Sequence, residues 1–84
     1  MLTVNEAYRL FKDKFPDAKT DVIYDWGEYY TCGRFASGDM VDDEWVIDKR
    51  TGKIRERDFL EYINELNRLG DDFVAKSYSV KNLR

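Results

Sequence analysis

Apolar residues return at three- and four-residue steps through the first part of the chain: Val4, Ala7, Tyr8, Phe11 and Phe15. That spacing puts them on one face of an α-helix, with Leu10 widening the stripe and Arg9, Lys12, Asp13 and Lys14 mostly off it. Thr3 and Glu6 form a T-x-x-E capping box, which satisfies backbone donors at the helix start. Pro16 disfavours helical geometry at Phe15 and ends the helix there.

The period then changes to two. From Thr20 to Trp26, Val22, Tyr24 and Trp26 share one strand face and Ile23 takes the other. Gly27 suits a tight reversal, and Glu28 to Ala36 reads as the returning strand. Tyr29, Thr31, Gly33 and Phe35 fall on one of its faces, and Tyr30, Cys32 and Arg34 on the other. Gly33 inside that strand signals a bulge or a close backbone approach. Ser37 to Glu44 reads as the one real loop, carrying the carboxylates Asp39, Asp42, Asp43 and Glu44.

Trp45, Val46 and Ile47 form a third strand, around which the rest of the pattern is organised. Asp48 and Gly52 seal the turn that follows, through a carboxylate acceptor and a residue that tolerates positive φ. Lys49, Arg50 and Lys53 decorate its tip as solvated charges. Ile54 resumes the apolar pattern. Asp58 then caps a second helix with Glu61 three residues on, and Phe59, Leu60, Tyr62, Ile63, Leu66 and Leu69 line its apolar face. Gly70 closes it. From Asp71 to Arg84, Val74, Tyr78 and Val80 fit one strand face, while Val74 and Tyr78 also fit a helix.

These elements predict an α+β fold in the order helix, three-stranded antiparallel sheet, helix (α-β-β-β-α). One domain spans residues 1–70, and 71–84 form a C-terminal tail of open conformation, either frayed or ordered by a partner. Two amphipathic helices suffice to cover one sheet face. Apolar groups nevertheless fall on both faces, so an interaction surface is expected on the uncovered one.

With 84 residues, the core is thin, and the 15% aromatic content compensates because each buried ring removes a large area from water. A net charge of −3 gives no general attraction for nucleic acid or acidic membranes. No run approaches the roughly 20 apolar residues that span a bilayer. Met1 to Glu6 lacks the basic and apolar regions of a signal peptide, and Cys32 stands alone. A cytoplasmic protein is the expectation.

The chain has no histidine, so histidine-activated nucleophiles and histidine metal sites are excluded. Cys32 in a strand reads as a small core hydrophobe. No glycine-rich phosphate loop precedes a helix, and the acidic loop lacks the D-x-D-x-D-G spacing of a calcium site. No catalytic residue, metal or cofactor is assigned, and no enzyme is expected. The candidate partner surface is instead an exposed aromatic sheet face, Trp26, Tyr29, Tyr30 and Trp45 with Arg34, rimmed by Asp42, Asp43 and Glu44. The expected partner is another protein, or a second copy in a self-assembling structural subunit such as a phage particle component. Nucleic acid is disfavoured by the net acidity.

The segment Trp45-Val46-Ile47-Asp48-Lys49-Arg50-Thr51-Gly52-Lys53-Ile54 resembles the last strand of small PepSY-type domains, an apolar-Asp-x-x-Thr-Gly-x-apolar pattern. With the N-terminal helix and the Tyr/Trp-rich hairpin, the chain is also similar to immunity proteins and prophage-borne small proteins of this architecture. The resemblance spans roughly residues 3 to 56. It implies a bacterial or phage-encoded inhibitory or docking module without chemistry of its own.

Overall fold

Helix α1 spans Val4–Lys14, and its capping box closes in both directions. The Glu6 N–H donates to Thr3 Oγ1 at 3.2 Å, and the Thr3 N–H donates to Glu6 Oε1 at 2.9 Å. The computed structural model describes residues 1–17, 20, 22–32, 35–36, 39–40 and 44–83. After α1 come β1 (Val22–Asp25), β2 (Tyr29–Cys32), β3 (Phe35–Ala36), β4 (Asp39–Met40), β5 (Glu44–Asp48) and β6 (Ile54–Arg57). Helix α2 (Phe59–Leu69), β7 (Lys76–Ser79) and a single 3-10 turn, Val80–Asn82, complete the described chain.

The main sheet has five strands in the order β6-β5-β2-β1-β7, with every neighbouring pair antiparallel. This corrects the three-stranded sheet expected from the sequence, and with it the simple α-β-β-β-α order. One strand escaped the pattern and another was left open between strand and helix, each for a physical reason. In β6, the run Arg55-Glu56-Arg57 hides its alternation behind charge, although Arg57 is buried. In β7, an edge strand needs few apolar residues, and Tyr78 opposite Ile23 supplies the main one. The expected long returning strand also divides. Its first part is β2, while Phe35–Ala36 pairs with Asp39–Met40 in a separate two-stranded ladder.

Register fixes the two faces. Tyr78, Ile23, Cys32 and Trp45 stand in one cross-strand row, and Asp25, Tyr30, Ile47 and Ile54 in the next. Ala7 and Phe11 of α1 bury themselves against Ile23, Tyr30, Cys32 and Ile47 on this face. Leu2, Val4, Tyr8, Phe15, Val80 and Leu83 close around that cluster. Fully burying one such side chain contributes about 1.5–3 kcal/mol, so Phe11, Ile23 and Ile47 are the principal anchors.

Val22, Tyr24, Thr31 and Val46 alternate onto the opposite face, together with Glu44 and Arg57. Helix α2 lies there, its Tyr62 ring meeting Trp26 edge-on at 6.0 Å. The helices therefore cover opposite faces, whereas the sequence pattern had both covering one.

Candidate functional site

Glu44 begins β5, and Arg57 ends β6 directly across the ladder. The Arg57 Nε–H donates to Glu44 Oε1 at 2.6 Å, and Nη1 donates to the Tyr29 hydroxyl at 2.9 Å. The guanidinium carbon lies 4.7 Å from the Trp26 ring centre, 5.4 Å from Tyr29 and 5.7 Å from Tyr62. A delocalised cation is well suited to such an aromatic box, because ring faces carry negative potential. Burial pushes the Arg57 pKa down, but the hydrogen bond and charge of Glu44 outweigh it and hold Arg57 above its ordinary value. Burial also pushes the Tyr29 phenol up, against the opposing pull of Arg57.

Trp26 sits just past β1, where its N–H donates to the Tyr29 carbonyl at 2.9 Å and so closes the hairpin. Gly27 takes the positive φ of that turn, +99°, and donates to Asp25 Oδ1 at 2.8 Å. The Trp26 indole N–H donates to Thr31 Oγ1 at 2.8 Å, satisfying the polar atoms of two buried residues at once.

Beside this box, a cleft of about 210 Å³ opens between the sheet and α2. Its floor is Val22, Tyr24, Trp26 and Thr31, and its helical wall is Tyr62 and Leu66. The third wall is Phe73, Val74 and Ala75, from the connector between α2 and β7. Gly70 takes φ +93° to end α2 and turn the chain back towards the sheet. Phe73 then stacks on Trp26, with ring centres 5.5 Å apart. No α2 residue is fully buried; Phe59 and Leu60 on that helix are 48% and 71% exposed, and Val74 at the cleft is 85% exposed. This side of the molecule is thus only partly filled by its own chain.

Of the residues expected to form an exposed aromatic surface, Trp26 and Tyr30 are buried within the chain. Trp26, Tyr29 and Glu44 do come together, around Arg57. Tyr30 lies on the α1 face, where its hydroxyl donates to the Leu2 carbonyl at 3.1 Å. Trp45, half-buried, lies on that face too, its ring 4.4 Å from Phe15. Glu44, expected in a solvated acidic rim, is instead an inward-facing carboxylate bonded to Arg57. Arg34, Asp42 and Asp43 lie outside the described residues. The open aromatic sheet face is therefore replaced by a packed one, because α2 and Phe73 cover the Trp26 side.

Arg57, Tyr62, Leu66, Phe73 and Val74 were not among the sequence candidates. A signal for Arg57 existed: once the Asp48–Lys53 turn sets Ile47 opposite Ile54, Glu44 must face Arg57. Phe73 and Val74 had no such signal, because Gly70 alone sets the direction of their connector.

The site offers apolar contact and hydrogen bonding rather than nucleophilic chemistry. The Cys32 thiol is buried and pushed up to about 12 by desolvation and by the Glu44 charge, so it stays protonated. Among the described residues, no three metal-ligating side chains stand close enough to hold an ion. No helix among them is long and apolar enough to cross a membrane. No protein-family model, no curated protein and no solved structure matches the chain.

Proposed function

We propose that this chain is a small, non-enzymatic protein-binding or inhibitory module of a bacterium or phage. It acts in the cytoplasm through the α2 side of the sheet. The observation that carries this reading is the apolar cleft under α2, open to solvent beside the exposed Val74. A half-filled apolar surface beside a fixed polar anchor is the arrangement on which interface hot spots form. The docking character implied by the resemblance to PepSY-type and immunity-protein domains points the same way.

A second reading, a self-assembling structural subunit, draws on the two sheet edges, since β6 and β7 each have one neighbour in the described sheet. Arg55, Glu56 and Lys76 lie along those edges, and charge there opposes edge-to-edge pairing. The cleft is therefore preferred as the contact surface.

The test is affinity capture from the native host using the tagged wild type and Leu66→Asp, with circular dichroism as the folding control. A Val74→Asp variant, altered only at an exposed position, guards against misfolding of the first. One stoichiometric partner lost in both variants is expected. Recovery of the chain's own untagged copies alone would move the assignment to self-assembly. A partner that both folded variants retain would remove the cleft from the interface.

A further inference from the structure

Resting on the binding-module reading, we propose that the cleft under α2 receives one aromatic side chain of a partner segment whose flanking residues are basic. Size comes first. A dry cavity of about 150 Å³ accepts benzene. At about 210 Å³, this cleft therefore holds a single phenylalanine-sized ring.

The walls favour a ring over a polar group. Val22, Leu66 and Ala75 supply aliphatic contact, while Tyr24, Trp26 and Phe73 supply ring edges and faces. Aromatic pairs in such geometry gain roughly 0.5–1.5 kcal/mol beyond the area they bury. Two polar lining groups are engaged within the chain: Thr31 accepts from Trp26, and Glu44 accepts from Arg57.

Charge selects the flanks. Glu44, the ionisable carboxylate among the described lining residues, is already paired with Arg57 and adds little net charge, and no Lys or Arg lines the cleft among them. Asp71 and Asp72 are exposed and immediately precede the lining residues Phe73 and Val74, so the connector that forms one wall carries two acidic residues next to it in the chain. A partner with basic residues on either side of its ring is attracted, and an acidic one is repelled. A second copy of this chain is a poor occupant. Of its aromatic residues near basic ones, Phe15 beside Lys12 and Lys14 is packed against Phe11 and Trp45, and Tyr78 between Lys76 and Lys81 is held in the sheet opposite Ile23.

The experiment titrates the ¹⁵N-labelled chain with acetyl-Lys-Lys-Phe-Lys-Lys-amide, with the Glu-flanked analogue, and with the basic peptide carrying Ala in place of Phe. The Lys-flanked Phe peptide should shift the Trp26 indole and the Leu66, Val74 and Ala75 amides. It should bind about fivefold or more tighter than the Glu-flanked one at low salt, as expected for two exposed charge contacts. The Ala peptide should leave those signals in place. Ala75→Leu, which fills the cleft, should abolish the shifts, and the exposed pair Asp71→Asn/Asp72→Asn should erase the preference for basic flanks.

Equal binding of acidic and basic peptides overturns the charge assignment. Absence of cleft shifts, or shifts that follow protein rather than peptide concentration, overturns the proposal altogether. If host capture still yields a partner that Leu66→Asp and Val74→Asp lose, the binding module stands and only this occupant fails.

Discussion

Glu44 and Arg57 face each other across the β5–β6 ladder, joined by a 2.6 Å hydrogen bond with both side chains at most 4% exposed. Neither charge stands apart from the core, because the Arg57 guanidinium is also packed against Trp26, Tyr29 and Tyr62. Removing one member of a buried pair strands the other in a low-dielectric site, at a cost of about 3–5 kcal/mol. Replacing both with apolar groups of similar volume removes the desolvation penalty as well as the attraction. Arg57→Met and Glu44→Leu should therefore each lower the urea midpoint sharply, while the double variant recovers most of the loss. Additive losses in the double-mutant cycle would show that the pair is not coupled and that Arg57 acts through its ring contacts alone.

Gly52 and Gly27 separate backbone strain from side-chain crowding. Gly52 has φ +75°, and a Cβ there would lie 3.3 Å from Leu10 Cδ1 and 3.8 Å from Leu2 Cδ1. Gly27 has φ +99°, with nothing within 4 Å of such a Cβ. Left-handed geometry costs a residue with a Cβ roughly 1–2 kcal/mol. Leu10 Cδ1 is the far end of a flexible side chain that is 37% exposed, so it can yield by a few tenths of an ångström. Gly52→Ala and Gly27→Ala should thus destabilise by similar amounts in urea titrations. A much larger loss at Gly52 would mean that α1 holds Leu10 rigidly against the turn.

The sequence carried the elements more clearly than their assembly. Thr3, Glu6 and Pro16 delimit α1, and Asp58 with Gly70 delimits α2, because caps are local chemistry read within four residues. The Trp26–Gly27 reversal and the Asp48–Gly52 turn are local for the same reason. Pairing is not local. The contact of β7 with β1 joins Tyr78 to Ile23, and no turn motif links two segments so far apart. The same limit hid the site: Trp26, Tyr29 and Glu44 were legible as residues worth naming, but their convergence depends on Arg57. An arginine in a charged run reads as solvated until the ladder places it inside. Both faces of the sheet were correctly read as carrying apolar groups, yet which helix covers which face follows from α2 joining β6 at one sheet edge to β7 at the other, over the Trp26 side.

The acid limb of stability should report the ion pair at the hairpin end. Burial pushes the Asp25 carboxyl up, but hydrogen bonds from Lys49 Nζ, at 2.7 Å, and from the Gly27 N–H outweigh it. The folded pKa of Asp25 is therefore depressed below its ordinary 3.8. A depressed carboxyl stabilises the fold at pH above the unfolded value, and that stability disappears as pH falls through the folded value. The contribution is about 1 kcal/mol for a pair this close to the surface. Asp48, lowered by the Thr51 and Arg50 N–H groups, titrates in the same direction. Urea midpoints measured from neutral pH down past 3.8 should fall for the wild type and fall less for Asp25→Asn. The residual slope belongs to Asp48 and the other lowered carboxyls. An unchanged slope in Asp25→Asn would assign the acid limb to those groups instead.

Truncation after Ala75 tests whether the C-terminal segment is a tail or part of the fold. β7 completes the sheet along Val22–Asp25, and Val80 and Leu83 pack against the cluster formed by Phe11, Ile23 and Ile47. These side chains are half-buried rather than fully buried, so each contributes less than the full value of an apolar core residue. Tyr78, Val80 and Leu83 together still amount to about 3 kcal/mol at roughly half that value each. Small domains have net stabilities of about 5–15 kcal/mol, so the loss should be visible as a large drop in the urea midpoint. Hydrogen exchange should quicken first at the β1 amides that had bonded to β7. The newly bared β1 edge also offers unpaired backbone groups to other chains, so the truncated form should self-associate more than the full chain at the same concentration. Val80→Ala supplies the graded control, with a smaller loss and an intact edge. If the truncated chain keeps its midpoint and its β1 protection, residues 76–84 are dispensable to the fold, and their order depends on something other than the sheet.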